Sequence, residues 1–150
     1  MITGIRDKAE VAVRAGIRFI QFAPVDETDA NNIDAYLKSL RPKPSPYLVG
    51  GELSPLAVRG KKIFGEIGCA DCHSGPYFTD MKKHGMRYST GMDKDRRFDT
   101  PTLIELWRTA PYLYDGRAAS MEEALLIKSS RVEALSEEDR QALTEYVLSL

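Results

Sequence analysis

The sequence predicts an all-α fold, and three observations carry that prediction. Apolar residues recur at three- and four-residue spacing in several segments. Serines stand at helix-cap positions ahead of three of those segments. No stretch shows the sustained alternation of a half-buried strand, and no internal repeat is present. The chain has 150 residues, enough for about one domain with its own core.

Residues 7–15 read as a short helix stopped at Gly16, and 17–22 as extended or irregular chain. A firmer helix covers about 28–40, with Ile33, Tyr36, Leu37 and Leu40 on one face and Pro42 ending it. Pro42, Pro44 and Pro46 alternate through 41–52, which favours an extended, semi-rigid linker. The expected organisation is therefore a helical extension at 1–40, a linker at 41–52 and a principal domain at 53–150.

The principal domain opens on Ser54 as N-cap and Pro55 at the first helical position. Leu56, Ile63, Phe64 and Ile67 supply the apolar contacts of this helix, which should end near Gly65 to Gly68. Residues 74–99, rich in Gly, Asp, Ser and Thr, read as loop. A further helix is expected from Thr100-Pro101 to about Trp107. Ser120 with Glu123 forms a capping box for a helix at 121–128. Ser136 caps the last, 137–150, whose apolar positions are Leu143, Tyr146, Val147 and Leu150.

Charge narrows the class of partner. The net charge is -1, and Lys and Arg are scattered except for the pairs at 61–62, 82–83 and 96–97. Such pairs are solvated surface, not the basic face that nucleic acid requires. No apolar run approaches the roughly 20 residues that span a membrane. Met1 to Phe22 carries charges throughout and has no apolar core of a signal peptide.

Residues 69–73 read Cys-Ala-Asp-Cys-His, and C-x-x-C-H is the attachment signature of haem c. Two thiols three positions apart add to the two vinyl groups on one porphyrin edge, and the next residue places an imidazole beneath the iron. A zinc site needs about four ligands, and this chain would spend both cysteines and both histidines on one. A thioredoxin-like pair expects a βαβ pattern, which is missing. One covalent haem c is therefore expected, held by Cys69 and Cys72 with His73 as iron ligand. Haem c is attached outside the cytoplasm, so the chain reads as a piece of a longer exported protein, periplasmic or on the cell surface. Around the motif, Gly60 and Phe64 lie one turn apart, as do Tyr146 and Leu150. That pairing fits the first and last helices of a c-type cytochrome crossing closely, glycine permitting the approach.

Residues 53–150 resemble the C-terminal haem lobe of the bacterial di-haem cytochrome c peroxidase family. The matching stretches are Cys-Ala-Asp-Cys-His-Ser-Gly-Pro-Tyr-Phe-Thr-Asp at 69–80, Phe-Asp-Thr-Pro-Thr-Leu at 98–103, and Thr-Ala-Pro-Tyr-Leu-Tyr-Asp-Gly-Arg-Ala-Ala-Ser-Met-Glu-Glu-Ala-Leu at 109–125. Residues 17–47 are similar, more weakly, to the tail and linker of a preceding lobe. The resemblance implies a cytochrome c-like helical domain around one haem. It also implies a second axial ligand from the helix after Asp-Gly-Arg, which in relatives is Met, Tyr or His. The corresponding position here is Lys128, a departure from the pattern. A lysine amine binds iron only when neutral, a form that burial favours. Met81, Met86 and Met92 in the intervening loop are the alternatives, followed by His84 or an open position.

Arg108 and Arg117 are candidate partners for the haem propionates, since Arg suits carboxylate recognition. Trp107, Tyr112 and Tyr114 are expected as core or haem-wall packing. The leading function is electron transfer, with a redox partner protein or a preceding domain as partner. Peroxidase activity of the di-haem type is the alternative, and a redox-sensing or structural module of a surface protein the third. The resembled family does peroxide chemistry at a second haem, and this chain has no second C-x-x-C-H.

Overall fold

The computed structural model describes residues 8–150 and separates into two compact units, the first ending at Pro42 and the second spanning Lys43–Leu150. Residue 7, the expected start of the first helix, lies outside the described residues.

The first unit is a helical hairpin of α1 (Ala9–Phe19) and α2 (Glu27–Ser39). Gly16 does not stop α1, contrary to expectation, and residues 17–19 are helical. A mid-helix glycine costs only about 1 kcal/mol relative to alanine, and tertiary bonds outweigh it here. Arg14, two residues earlier, donates to Glu27 at 2.9 Å, to Asp34 at 2.7 Å and to Asn31 at 2.8 Å, all on α2. Asp26 caps α2, accepting from the backbone of Thr28 and Asp29. The residues that α2 buries are Ala30 and Asp34, the latter beneath Arg14, while Ile33, Tyr36, Leu37 and Leu40 are exposed. The apolar periodicity was a sound guide to the helix but not to the face it buries in this unit.

In the second unit the helices are α3 (Pro55–Glu66), α4 (Met121–Lys128), α5 (Ser130–Glu133) and α6 (Glu137–Leu148). The Pro-rich segment belongs to this unit from Lys43 onward. Buried Ser45 donates to the Leu148 carbonyl at 2.6 Å, and the Lys43 backbone donates to Glu105 at 2.7 Å. The core sits where α3 crosses α6, around Ala57, Ile63, Phe64, Leu143, Tyr146 and Val147. Gly60 sits at the closest approach. A Cβ there would overlap the Ala142 carbonyl oxygen and lie 2.8 Å from the Tyr146 Cβ. Phe64 meets Tyr146 edge to face at 5.4 Å. The crossing partner of Gly60 is thus Ala142 with Tyr146, whereas Leu150 lies beyond α6, its carbonyl accepting from Glu105.

Two expectations between the helices fail. Residues 74–99 are not all loop: β1 (Lys83–Gly85) pairs antiparallel with β2 (Arg97–Asp99), His84 opposite Phe98. Strands of three residues are too short for alternation to reveal. The helix expected from Thr100 to Trp107 reduces to one 3₁₀ turn at Leu106–Arg108. Thr102 Oγ donates to the Tyr77 carbonyl and accepts from the Ile104 backbone, and Glu105 sits at φ 64°. Such side-chain bonds offer the backbone an alternative to helix.

Candidate functional site

The cysteine motif leaves the end of α3 through Gly68, at φ 79°, into a 3₁₀ turn at Cys69–Asp71. The turn continues into His73, whose backbone donates to the Cys69 carbonyl at 2.9 Å. Cys69, Cys72 and His73 thus share one hydrogen-bonded turn. Arg131 ties its base to α5 by donating to the Ile67 carbonyl at 2.8 Å.

The His73 ring is fixed from the core outward. Phe64, held by Tyr146, contacts Phe78 edge to face at 6.5 Å. The Phe78 carbonyl lies 3.0 Å from His73 Nδ1. A carbonyl only accepts, so Nδ1 carries the proton and Nε2 keeps its lone pair for a metal. Burial holds the imidazole below its ordinary pKa, opposed by the Phe78 carbonyl, and so favours the neutral ligand form. The loop at 74–80 is pinned to 98–103 through Thr79, which donates to the Thr100 carbonyl at 2.6 Å, and through Thr102 on the Tyr77 carbonyl.

Lys128, the last residue of α4, turns inward. Its Nζ lies 3.2 Å from Met86 Sδ, and burial lowers its pKa, with Cys72 and Cys69 as the neighbouring groups that oppose this. Met86 is held by the turn that follows it, where Ser89 donates to its carbonyl through both backbone and hydroxyl. Of the other methionines, Met81 is 81% exposed and Met92 fully exposed, so neither packs against the domain. His84 faces Asp80, Nε2 to Oδ2 2.8 Å. Cys72 Sγ, the Asp80 carboxylate and His84 lie within 4.8 Å of one another. The Lys82 backbone N–H holds the Asp80 carboxyl far below the usual range. These three donors would suit a borderline cation, but only while Cys72 remains a free thiol.

The arginines have other partners. Arg117 pairs with Asp115 at 2.5 Å, donates to the Tyr88 carbonyl at 3.1 Å and lies over the Tyr88 and Tyr114 rings. It clamps the loop carrying Met86 to the 114–117 turn, so the guanidinium expected as a propionate partner is already engaged by protein groups. Arg108 pairs with Glu105 at 2.8 Å and lies over the Trp107 ring at 5.9 Å. Tyr112 is buried, its hydroxyl donating to the Leu106 carbonyl, while Tyr114 stacks on Phe98 at 4.4 Å.

A flat apolar group with ionised edges fits these residues. Ile67, Phe78, Leu106, Trp107, Leu125 and Ile127 are half-buried and pack against the core with one side. Trp107 Nε1 is buried with no hydrogen-bond partner among the described residues. A buried N–H lacking an acceptor costs about 1–3 kcal/mol, and a haem propionate is an acceptor of the right kind.

Residues 57–150 match the family model for cytochrome c. Over 83 residues the chain is 36% identical to the methylamine utilization protein MauG of Methylorubrum extorquens, covering 46% of this chain and 24% of that protein. Over 84 residues it is 33% identical to the cytochrome c551 peroxidase of Nitrosomonas europaea, covering 45% of this chain and 25% of that protein. A longer match, 24% identical, covers 77% of this chain and 47% of the hydrazine synthase subunit gamma of Kuenenia stuttgartiensis. The chain therefore spans between a quarter and a half of the length of these relatives. A solved structure of Kuenenia stuttgartiensis hydrazine synthase, determined under xenon, shares the fold with a TM-score of 0.74 at 21% identity, covering 93% of this chain and 60% of that one.

Proposed function

The chain belongs to the cytochrome c family, and on that premise we propose that it is a one-electron-transfer domain carrying a single haem c on Cys69 and Cys72. The observation that carries this reading is the His73 ring, oriented by the Phe78 carbonyl with Nε2 left for a metal. Bound there, haem c supplies a ferric–ferrous couple whose potential follows from axial ligation, burial and local charge. The chain's own groups set each of these. His73 would provide one nitrogen and Lys128 the second for the ferric iron, its half-buried position favouring the neutral amine. Trp107 Nε1, which lacks a partner among the described residues, would donate to a propionate, with Arg108 beside it. One haem follows from the presence of only two cysteines.

Attachment of haem c implies export, so we place the domain in an exported redox protein that exchanges electrons with a preceding domain or a soluble partner. No helix among the described residues is long and apolar enough to cross a membrane. The match to a cytochrome c551 peroxidase favours peroxide chemistry as a second reading. Visible spectra of the haem-loaded protein, oxidised and reduced, with and without peroxide, decide between the two. A low-spin ferric spectrum unmoved by peroxide is expected, and a high-spin spectrum that peroxide changes would put the peroxidase reading first. Lys128→Ala should convert the ferric spectrum to another ligation state; an unchanged one removes lysine from the site.

Trp107→Phe tests the propionate contact with little change of shape. A hydrogen bond to a charged acceptor is worth about 1.5–3 kcal/mol, equivalent to roughly one to two pKa units. The N–H stabilises the ionised propionate, so its loss raises that pKa. The pH at which the midpoint potential bends should rise by about a unit, with haem still attached. A bend at the wild-type pH would exclude Trp107 as the donor.

A further inference from the structure

Lys128 Nζ and Met86 Sδ lie 3.2 Å apart, on residues 42 positions distant in sequence. Both side chains are half-buried and both belong to well-held backbone: Lys128 ends α4, and Met86 is fastened by Ser89. Arg117 on the Tyr88 carbonyl pins the same loop from the other side. The two groups are chemically different. A neutral amine is a hard nitrogen donor, whereas a thioether is soft and polarisable. An ammonium donating to a thioether is a weak hydrogen bond, so the contact adds little stability of its own. It does bring two dissimilar ligand atoms to one place, and Lys128 there feels the charge of both attachment cysteines.

Resting on the haem reading above, we propose that Lys128 and Met86 are alternative ligands of one axial position, Lys128 serving the ferric iron and Met86 the ferrous. Ferric iron, the harder ion, prefers the amine; ferrous iron, the softer, prefers the thioether, and Met ligation raises the potential of a cytochrome haem. The exchange forms one iron–ligand bond as it breaks the other, and it transfers no electron beyond the one that reduces the iron. When Met86 is bound, Lys128 is free to take up a proton from solvent, and it returns that proton when it binds again. The donors are separated by only 3.2 Å, so the swap asks for side-chain rotation more than for movement of α4 or of the Met86 turn. Its consequence is a domain that accepts an electron at a lower potential than the one at which it then holds it. A tenfold difference in ligand preference between the two oxidation states separates the two couples by about 59 mV.

The test uses the haem-loaded protein, with ferric and ferrous forms examined by near-infrared magnetic circular dichroism and resonance Raman, and with voltammetry over a range of scan rates. Amine ligation in the ferric form and thioether ligation in the ferrous form are expected, with two separated couples at fast scans merging at slow ones. Met86→Leu, which conserves volume, should leave the ferric spectrum as in the wild type and change the ferrous one. Lys128→Ala should do the reverse. One ligand in both oxidation states, or a single reversible couple at every scan rate, overturns the exchange while leaving the haem reading intact. A wild-type protein that carries no covalent haem after maturation overturns the haem reading itself.

Discussion

A chain carrying Cys69→Ala together with Cys72→Ala is expected to show no haem after denaturing electrophoresis, where the parent protein stains fully. The sequence has no other cysteine, so no other thioether can form. What remains is the His73 coordinate bond and the half-buried wall around Leu106, Trp107 and Leu125. Those contacts need folded chain, because the Phe78 carbonyl that orients His73 is placed by tertiary packing on Phe64. Denaturation removes them, and only covalent bonds persist. His73→Ala in the parent background separates attachment from ligation. Its haem should remain on the gel while the ferric spectrum of the native protein loses its low-spin form, since one axial ligand is gone. Haem retained by the double-cysteine variant through denaturation would show that the attachment chemistry lies elsewhere in the chain.

The parts of this molecule that were legible in the sequence are those fixed by neighbours a few residues away. Ser54, Ser120 and Ser136 each accept from a backbone N–H three residues on, at Ala57, Glu123 and Asp139, as their spacing indicated. The Cys-Ala-Asp-Cys-His run is equally local, and its five residues name the cofactor chemistry by themselves. The misses are long-range. Thr102 reads as a helix residue until Tyr77, 25 positions earlier, takes its hydroxyl. The β1–β2 pairing joins residues 12 to 16 apart in strands too short to show a period.

The axial position divides in the same way. In the proposed ligand pair, Lys128 comes from its place after Asp-Gly-Arg in the family resemblance, but nothing in sequence selects Met86 over Met81 or Met92. That choice rests on the turn at Ser89, on the Arg117 clamp and on the β1–β2 pairing that brackets it, none of which has a local signature. The Phe78 carbonyl escaped for a further reason: a backbone acceptor has no residue identity, so no motif could announce it. Trp107 was expected as core or haem-wall packing and packs against the core, whereas its Nε1, without a partner among the described residues, emerges only once its surroundings are known.

Replacing Gly60 by alanine should be more damaging than any other single methyl added to α3. The new Cβ would overlap the Ala142 carbonyl oxygen and stand 2.5 Å from the Ala142 carbonyl carbon. A flexible side chain could swing aside, but here the obstacle is the backbone of α6. The helices must separate or one must unwind locally, and Phe64 then loses its seat on Tyr146. Overpacking of a tight core typically costs about 1–3 kcal/mol and sometimes more; a backbone obstacle places Gly60→Ala at the upper end, about 3 kcal/mol. Against a total stability of roughly 5–15 kcal/mol, that should lower the midpoint of thermal unfolding by on the order of 10 °C. Because Phe64 also positions Phe78, and Phe78 the His73 ring, the loss should reach the iron as a more weakly held axial imidazole. Gly65→Ala is the matched control, in the same helix with nothing within 4 Å of its new Cβ. Alanine there should be neutral or stabilise by up to about 1 kcal/mol through its higher helix propensity. Equal melting temperatures for the two variants would mean that the α3–α6 crossing is looser than Gly60 and Ala142 require.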